Sequence, residues 1–255
     1  MKRKRANILG VGIDVIDFKS ALTRIEELIE SRGNHFVCVN SVQDIMISQK
    51  NERFRKIVNN SDLATPDGWP VVWAIKLNGY KQKQRVTGPD LMIAMCERSV
   101  KKGYSHFFYG GAAEVPDLLE AKLKEKFPEL KVAGKYSPPF RPLTPEEDTK
   151  IIEIINKSDA DILWIGLSTP KQHFWMEEHF RKIQVPVMFT VGAGFDFHSG
   201  RVPRAPVWMQ KSGLEWFHRI MQEPKRLGKR YLEYLPLFAF KLTGQLLGIK
   251  TYKID

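Results

Sequence analysis

The chain has 255 residues, 43% hydrophobic and 27% charged, with a net charge of +11. That length holds one large α/β domain or a domain with an appendage, and the composition argues against extended disorder. The only two cysteines, Cys38 and Cys96, lack metal-type spacing and fit a reduced cytosolic compartment, and no segment reaches the roughly 20 apolar residues that span a bilayer.

Met1-Lys2-Arg3-Lys4-Arg5 has the charge of a signal peptide's n-region. The apolar run behind it is short, broken by Asp14 and without a small-residue cleavage site, so residues 8–15 read as a strand. Residues 19–31 read as a helix, 36–39 as a strand, the stretch to Asn60 as helical and 62–65 as a short strand. Residues 69–77 and 90–102 are expected to be helical, 106–109 a strand and 115–127 a helix. A strand follows at 131–134, then a helix at 145–156 with Thr144 as its N-cap. Strands at 162–165 and 187–191 flank a helix near 171–182. This alternation predicts an α/β fold, a mostly parallel Rossmann-like sheet flanked by helices.

From Trp208 the rhythm changes to helices without strands, punctuated by Pro224 and Pro236. The division predicts an α/β domain over 1–207 and a helical, basic appendage over 208–255. Residues 199–230 carry eight basic side chains against two acids, Glu215 and Glu223. Such a field attracts an anion: nucleic acid, anionic lipid or a diphosphate. Cations interleaved with Leu227, Tyr231, Leu232, Leu235, Phe238 and Phe240 suit a membrane interface or an ordinary terminal helix packed on the domain.

In open α/β sheets ligands sit beyond the carboxyl ends of the strands, which sorts the candidate residues. Asp67, in Thr65-Pro66-Asp67-Gly68, follows an expected strand and can act as a general base or as a turn and helix cap. Gly110 and Gly111 follow another, offering backbone N–H groups to a phosphate or simply making a turn. Lys171 and Gln172 follow a third; Gln172 is suited to sugar hydroxyls. Gly192 opens the Gly-rich run after the last strand, and Asp196 within it suits a ribose, a base or a turn. Arg85, Arg201 and Arg204 supply fixed cations for a diphosphate. Asp159 and Asp161 form a D-x-D pattern but precede their strand, at the wrong end of the sheet, and no cluster has metal spacing. His173, His179, His198 and His218 show no relay pattern.

The ordered blocks Thr65-Pro66-Asp67-Gly68, Arg85-Val86-Thr87-Gly88-Pro89-Asp90, Phe107-Phe108-Tyr109-Gly110-Gly111, Gly166-Leu167-Ser168-Thr169-Pro170-Lys171-Gln172 and 192–208 resemble the WecG/TagA/CpsF glycosyltransferases, which act in bacterial envelope polysaccharide synthesis. The resemblance implies Asp67 as general base and Asn40 as a ligand to sugar hydroxyls. It further implies Arg219 and Arg226 as appendage arginines that complete the site, with Lys229 or Arg230 at the next such position. Cys38 stands where relatives have Thr, which bears on donor choice if that side chain touches the donor.

These readings converge on an inverting, metal-independent glycosyltransferase without cofactor. By the resemblance it would move a sugar of the N-acetylmannosamine, N-acetylmannosaminuronic acid or glucose type from UDP to an undecaprenyl-diphosphate-linked saccharide. The expected setting is cytoplasmic, peripheral on the inner face of the plasma membrane, with an anionic membrane surface and the two substrates as partners; a homo-oligomer is left open. The alternatives are a basic nucleic-acid-binding module and a membrane-docked scaffold without catalysis. The first is disfavoured because the aromatics Trp208, Trp216, Phe217 and Tyr231 fall on expected helices rather than on a sheet face.

Overall fold

The computed structural model describes residues 3–254, apart from the side chain of Arg226. Six parallel strands form the central sheet: β3 (His35–Asn40), β4 (Leu63–Pro66), β5 (Ser105–Gly110), β6 (Lys131–Tyr136), β7 (Ile162–Gly166) and β8 (Val187–Thr190). Their order across the sheet is β4-β3-β8-β7-β5-β6. Each strand alternates its side chains between two cores, as the period of two in the pleat requires. Val37, Phe108, Trp164 and Phe189 point to one face. Cys38, Phe107, Tyr109, Leu163 and Met188 point to the other. On the first face α1 (Phe18–Glu30), α5 (Gly88–Lys102), α6 (Val115–Lys126) and the short α9 (Gly194–His198) cover the sheet. The opposite face is covered by α3 (Glu52–Asn60), α7 (Pro145–Lys157) and α8 (Lys171–His179). Burial on both faces is why inner strands such as β7 and β8 read as nearly unbroken apolar runs, whereas the edge strand β6 has no buried residue.

Thr144 caps α7 as expected, in a capping box with Glu147. The run over residues 8–15 departs from expectation. It belongs to an antiparallel hairpin, β1 (Arg5–Ile8) and β2 (Val11–Asp14), outside the main sheet. The turn is Leu9-Gly10, both at positive φ (53° and 82°), the geometry that matches the twist of paired strands. Leucine hides the turn in the sequence because it continues the apolar run; burial of its side chain offsets the roughly 1–2 kcal/mol that left-handed backbone costs a residue with a Cβ.

A third core joins this hairpin to α2 (Val42–Ser48), α4 (Trp69–Leu77) and Phe238 and Leu242 of the last helix, α12 (Lys229–Leu246). Gln245 fastens that helix. It accepts from Leu9 N at 2.7 Å and donates to Asn7 O at 2.7 Å and Asn78 Oδ1 at 3.2 Å. Before α12 come α10 (Val207–Ser212), α11 (Glu215–Gln222) and a π-helical turn, Pro224–Gly228. Pro236 is accommodated inside α12. No helix among the described residues is long and apolar enough to cross a membrane.

Candidate active site

The carboxyl ends of β3, β4, β5, β7 and β8 open into one cleft of about 1480 Å3, which is also lined by α11 and α12. Asp67 lies half-buried on its floor. Its N–H donates to Asn40 O at 2.8 Å, and Gly68, at φ 88°, turns the chain into α4. Among the described residues the Asp67 carboxylate makes no hydrogen bond or ion pair with protein. Burial pushes its pKa up from 3.8 to about 7; Arg85 opposes this, while Glu215, Asp44 and Asp90 add to it. A carboxyl poised near neutrality and open to the cleft can take a proton from a bound hydroxyl.

Beside Asp67 two arginines are tied to two carboxylates. Arg85 Nη1 donates to Glu215 Oε2, and its Nη2 to Gln210 Oε1 at 3.3 Å. Arg204 donates from Nε to Glu215 Oε1 at 3.0 Å and from Nη1 to Asp90 Oδ1 at 2.5 Å. Asp90 is held in turn by Thr87 Oγ1 at 2.8 Å. Arg85, Glu215 and Arg204 are only 13%, 16% and 19% exposed and Asp90 36%, so the first three compensate one another largely away from bulk water, and the quartet is neutral. Arg85 and Arg204, expected as fixed cations for a diphosphate, thus already have carboxylate partners.

Other cations face the cleft with looser attachments. Lys171 Nζ rests 5.3 Å from the centre of the Phe140 ring. Arg201 is 3.8 Å from Glu114, both about half exposed. Arg219 pairs with Glu223 at 3.3 Å, and Arg230 lies over Tyr231. All four line the cleft, so of the two residues offered for the third appendage contact, Arg230 is there and Lys229 is not. The Arg226 side chain, expected beside Arg219, lies outside the described residues.

Several of the residues expected to contact a ligand also hold the walls; of these, Gln172 and Gly111 line the cleft. Gln172 is 2% exposed; it accepts from Gly192 N at 3.1 Å and reaches Thr169 Oγ1 at 3.4 Å, tying the loops after β7 and β8 together. Gly110 is needed because a Cβ there would fall 2.6 Å from the Gly166 backbone. The Gly111 N–H is spent on Gly166 O at 3.1 Å, which leaves it none for a phosphate. Asn40 is fully buried, donates to Cys38 O at 2.8 Å and does not line the cleft. Cys38 is likewise buried in the core, so its replacement of Thr does not reach a donor directly. Asp196 lines the cleft in the first turn of α9. Asp159 and Asp161 stand at the amino end of β7, where Asp161 binds Arg32 and Ser105 N at 2.6 and 2.8 Å. No group of three His, Cys, Asp or Glu among the described residues is placed to hold a metal ion.

Sequence reasoning missed three parts of the cleft and its support. Glu215 had a signal, being one of two acids in a basic tract. Asp44 and Asp90 sit three residues after Ser41 and Thr87, the spacing of a helix-capping pair, and both are held that way. The stacked wall of Tyr109, Trp175 and His179, with successive ring centres 4.2 Å apart, comes from two elements and had none.

The sequence matches the model of the Glycosyl transferase WecG/TagA/CpsF family over residues 6–252. That span takes in every strand of the sheet, the cleft and the helices that line it, and the chain therefore belongs to the WecG/TagA/CpsF family and is a glycosyltransferase.

Proposed function

We propose that this glycosyltransferase of envelope polysaccharide synthesis transfers a hexose-type sugar from UDP to an undecaprenyl-diphosphate-linked saccharide, with inversion and without a metal. The observation that carries the reading is Asp67, a carboxyl raised to about 7 at the carboxyl end of β4. In a single displacement the acceptor hydroxyl attacks the anomeric carbon, Asp67 takes its proton, and UDP leaves from the opposite face with the bonding electrons. Lys171, Arg201, Arg219 and Arg230 would balance the charge on the departing diphosphate. Gln172 and Asn40 would hold the walls rather than the sugar.

A docked position at an anionic membrane is the other half of the proposal. Trp208, Met221, Leu232 and Phe240 are exposed on the C-terminal helices, among Lys211, Lys225, Lys229 and Lys241. Cations near apolar side chains favour an anionic interface, at about 1 kcal/mol for each cation close to the surface. Because Phe238 and Leu242 complete a core, truncating α12 would unroof the domain; exposed-face substitutions such as Leu232→Ser with Phe240→Ser test docking more cleanly.

A panel of UDP-sugars with a lipid-diphosphate acceptor analogue tests the chemistry. Asp67→Asn is expected to bind UDP normally and to lower turnover by roughly 10²-fold or more, since an amide cannot accept the proton. Near-normal turnover in that variant removes Asp67 from the mechanism. Activity is expected to survive EDTA, and loss on chelation with recovery on Mn²⁺ would end the metal-independent reading.

A further inference from the structure

Glu215 opens α11 and divides its two carboxylate oxygens between Arg85 and Arg204. Arg85 immediately precedes Val86, whose N–H donates to Pro66 O at 2.8 Å, and Pro66 immediately precedes Asp67. The chain thus brings Arg85 next to the stretch that carries the candidate base, and both residues line the cleft. Both terminal nitrogens of the Arg85 guanidinium are nonetheless turned to the C-terminal helices, Nη1 to Glu215 on α11 and Nη2 to Gln210 on α10.

We propose that Glu215 is a positioning residue: it holds the Arg85 guanidinium off the Asp67 carboxylate, so that Asp67 is a stronger base when α11 is docked. This rests on Asp67 being the base. The charged groups acting on Asp67 are Arg85, which favours its ionised form, and Glu215 on α11, Asp90 on α5 and Asp44 on α2, which disfavour it. Arg204 joins Glu215 to Asp90. Neutralising Glu215 changes this group in two ways. The quartet gains a net positive charge, and Arg85 loses the partner that orients it. Both favour ionised Asp67, which makes it a weaker base.

The test is the pH dependence of kcat/KM, whose acid limb reports the base in the free enzyme. Wild type is expected to show that limb near pH 7. Glu215→Gln is expected to move it down by on the order of one pH unit, with a several-fold lower plateau from the weaker base. Glu215→Asp keeps the charge and is expected to keep the limb in place. Arg85→Gln is expected to move it upward, and the double variant Arg85→Gln with Glu215→Gln to return it close to wild type. If Glu215→Gln does not fold, Arg85→Gln carries the test with the opposite sign. Lower activity with an unmoved limb would make Glu215 merely structural and overturn the proposal.

The same displacements should appear in the titration of Asp67 followed by 13C carboxyl NMR, with Asp67→Asn used for assignment. That measurement separates two failures. A titration that shifts as expected beside an active Asp67→Asn enzyme removes the base while leaving the clamp. An unshifted titration beside an inactive Asp67→Asn enzyme removes the clamp.

Discussion

Arg85 and Arg204 on the floor of the cleft and Lys171 and Arg201 at its rim carry the same charge in opposite circumstances. The floor pair is largely excluded from solvent and neutralised by Glu215 and Asp90. At the rim, Arg201 is 47% exposed with Glu114 at 3.8 Å, and Lys171 meets only an aromatic face among the described residues. A count of basic residues treats the two groups alike. Partnering separates them: buried ion pairs fix geometry and resist rearrangement, whereas exposed cations are worth little until an anion arrives.

The largest expected difference between the regions is in stability. Arg204→Ala leaves Asp90, 36% exposed, without its arginine and Glu215 with Arg85 alone, and is expected to cost about 1–3 kcal/mol. Arg201→Ala should stay within about 0.5 kcal/mol. Urea denaturation of both variants checks this, and equal losses would erase the distinction. The next effect is on binding. Lys171→Ala combined with Arg201→Ala should weaken UDP binding by about tenfold at low ionic strength, and the deficit should shrink as salt screens the exposed charges. Isothermal titration across a salt series reads it; a deficit indifferent to salt would mean that the rim acts by shape.

A pH-dependent effect sharpens the contrast within the floor itself. Asp67 binds its proton more tightly folded than unfolded, so its contribution to stability is full at pH below about 4 and is lost as pH rises through 7. Asp67→Asn removes the cost of the ionised form. Its melting temperature should exceed that of wild type by about 2–4 °C at pH 8 for each kcal/mol so relieved, and match it at pH 4. A gain that is the same at both pH values would point to packing rather than charge.

The sheet was legible because its physics is local. Phe107, Phe108 and Tyr109 alternate between two cores, and that period is written in the run itself. The β1–β2 turn was not, since Leu9 carries no mark of positive φ. Asp67 could be placed from its position after a strand. Asn40 and Cys38 were harder: a motif gives their order along β3, while their distance from the cleft depends on what packs over them. The neutral quartet was hidden for a related reason. Arg85 and Asp90 come from one stretch and Arg204 and Glu215 from another, Asp90 and Arg204 being 114 positions apart, and only folding makes the two stretches neighbours.

Asn7 Nδ2 donates to Tyr252 O at 2.7 Å across 245 positions of sequence, and Gln245 bridges Asn7, Leu9 and Asn78. During synthesis the hairpin leaves the ribosome well before those partners exist. Until α12 arrives, Ile8, Val11 and their neighbours have no lid on that side, and Glu215 has not yet reached Arg85. At 5–20 residues per second the wait between hairpin and lid is on the order of ten seconds or more. The interval is long enough for a chaperone to take the place of α12, and a nascent chain stalled before residue 215 would carry a nearly complete sheet and an unfinished catalytic floor.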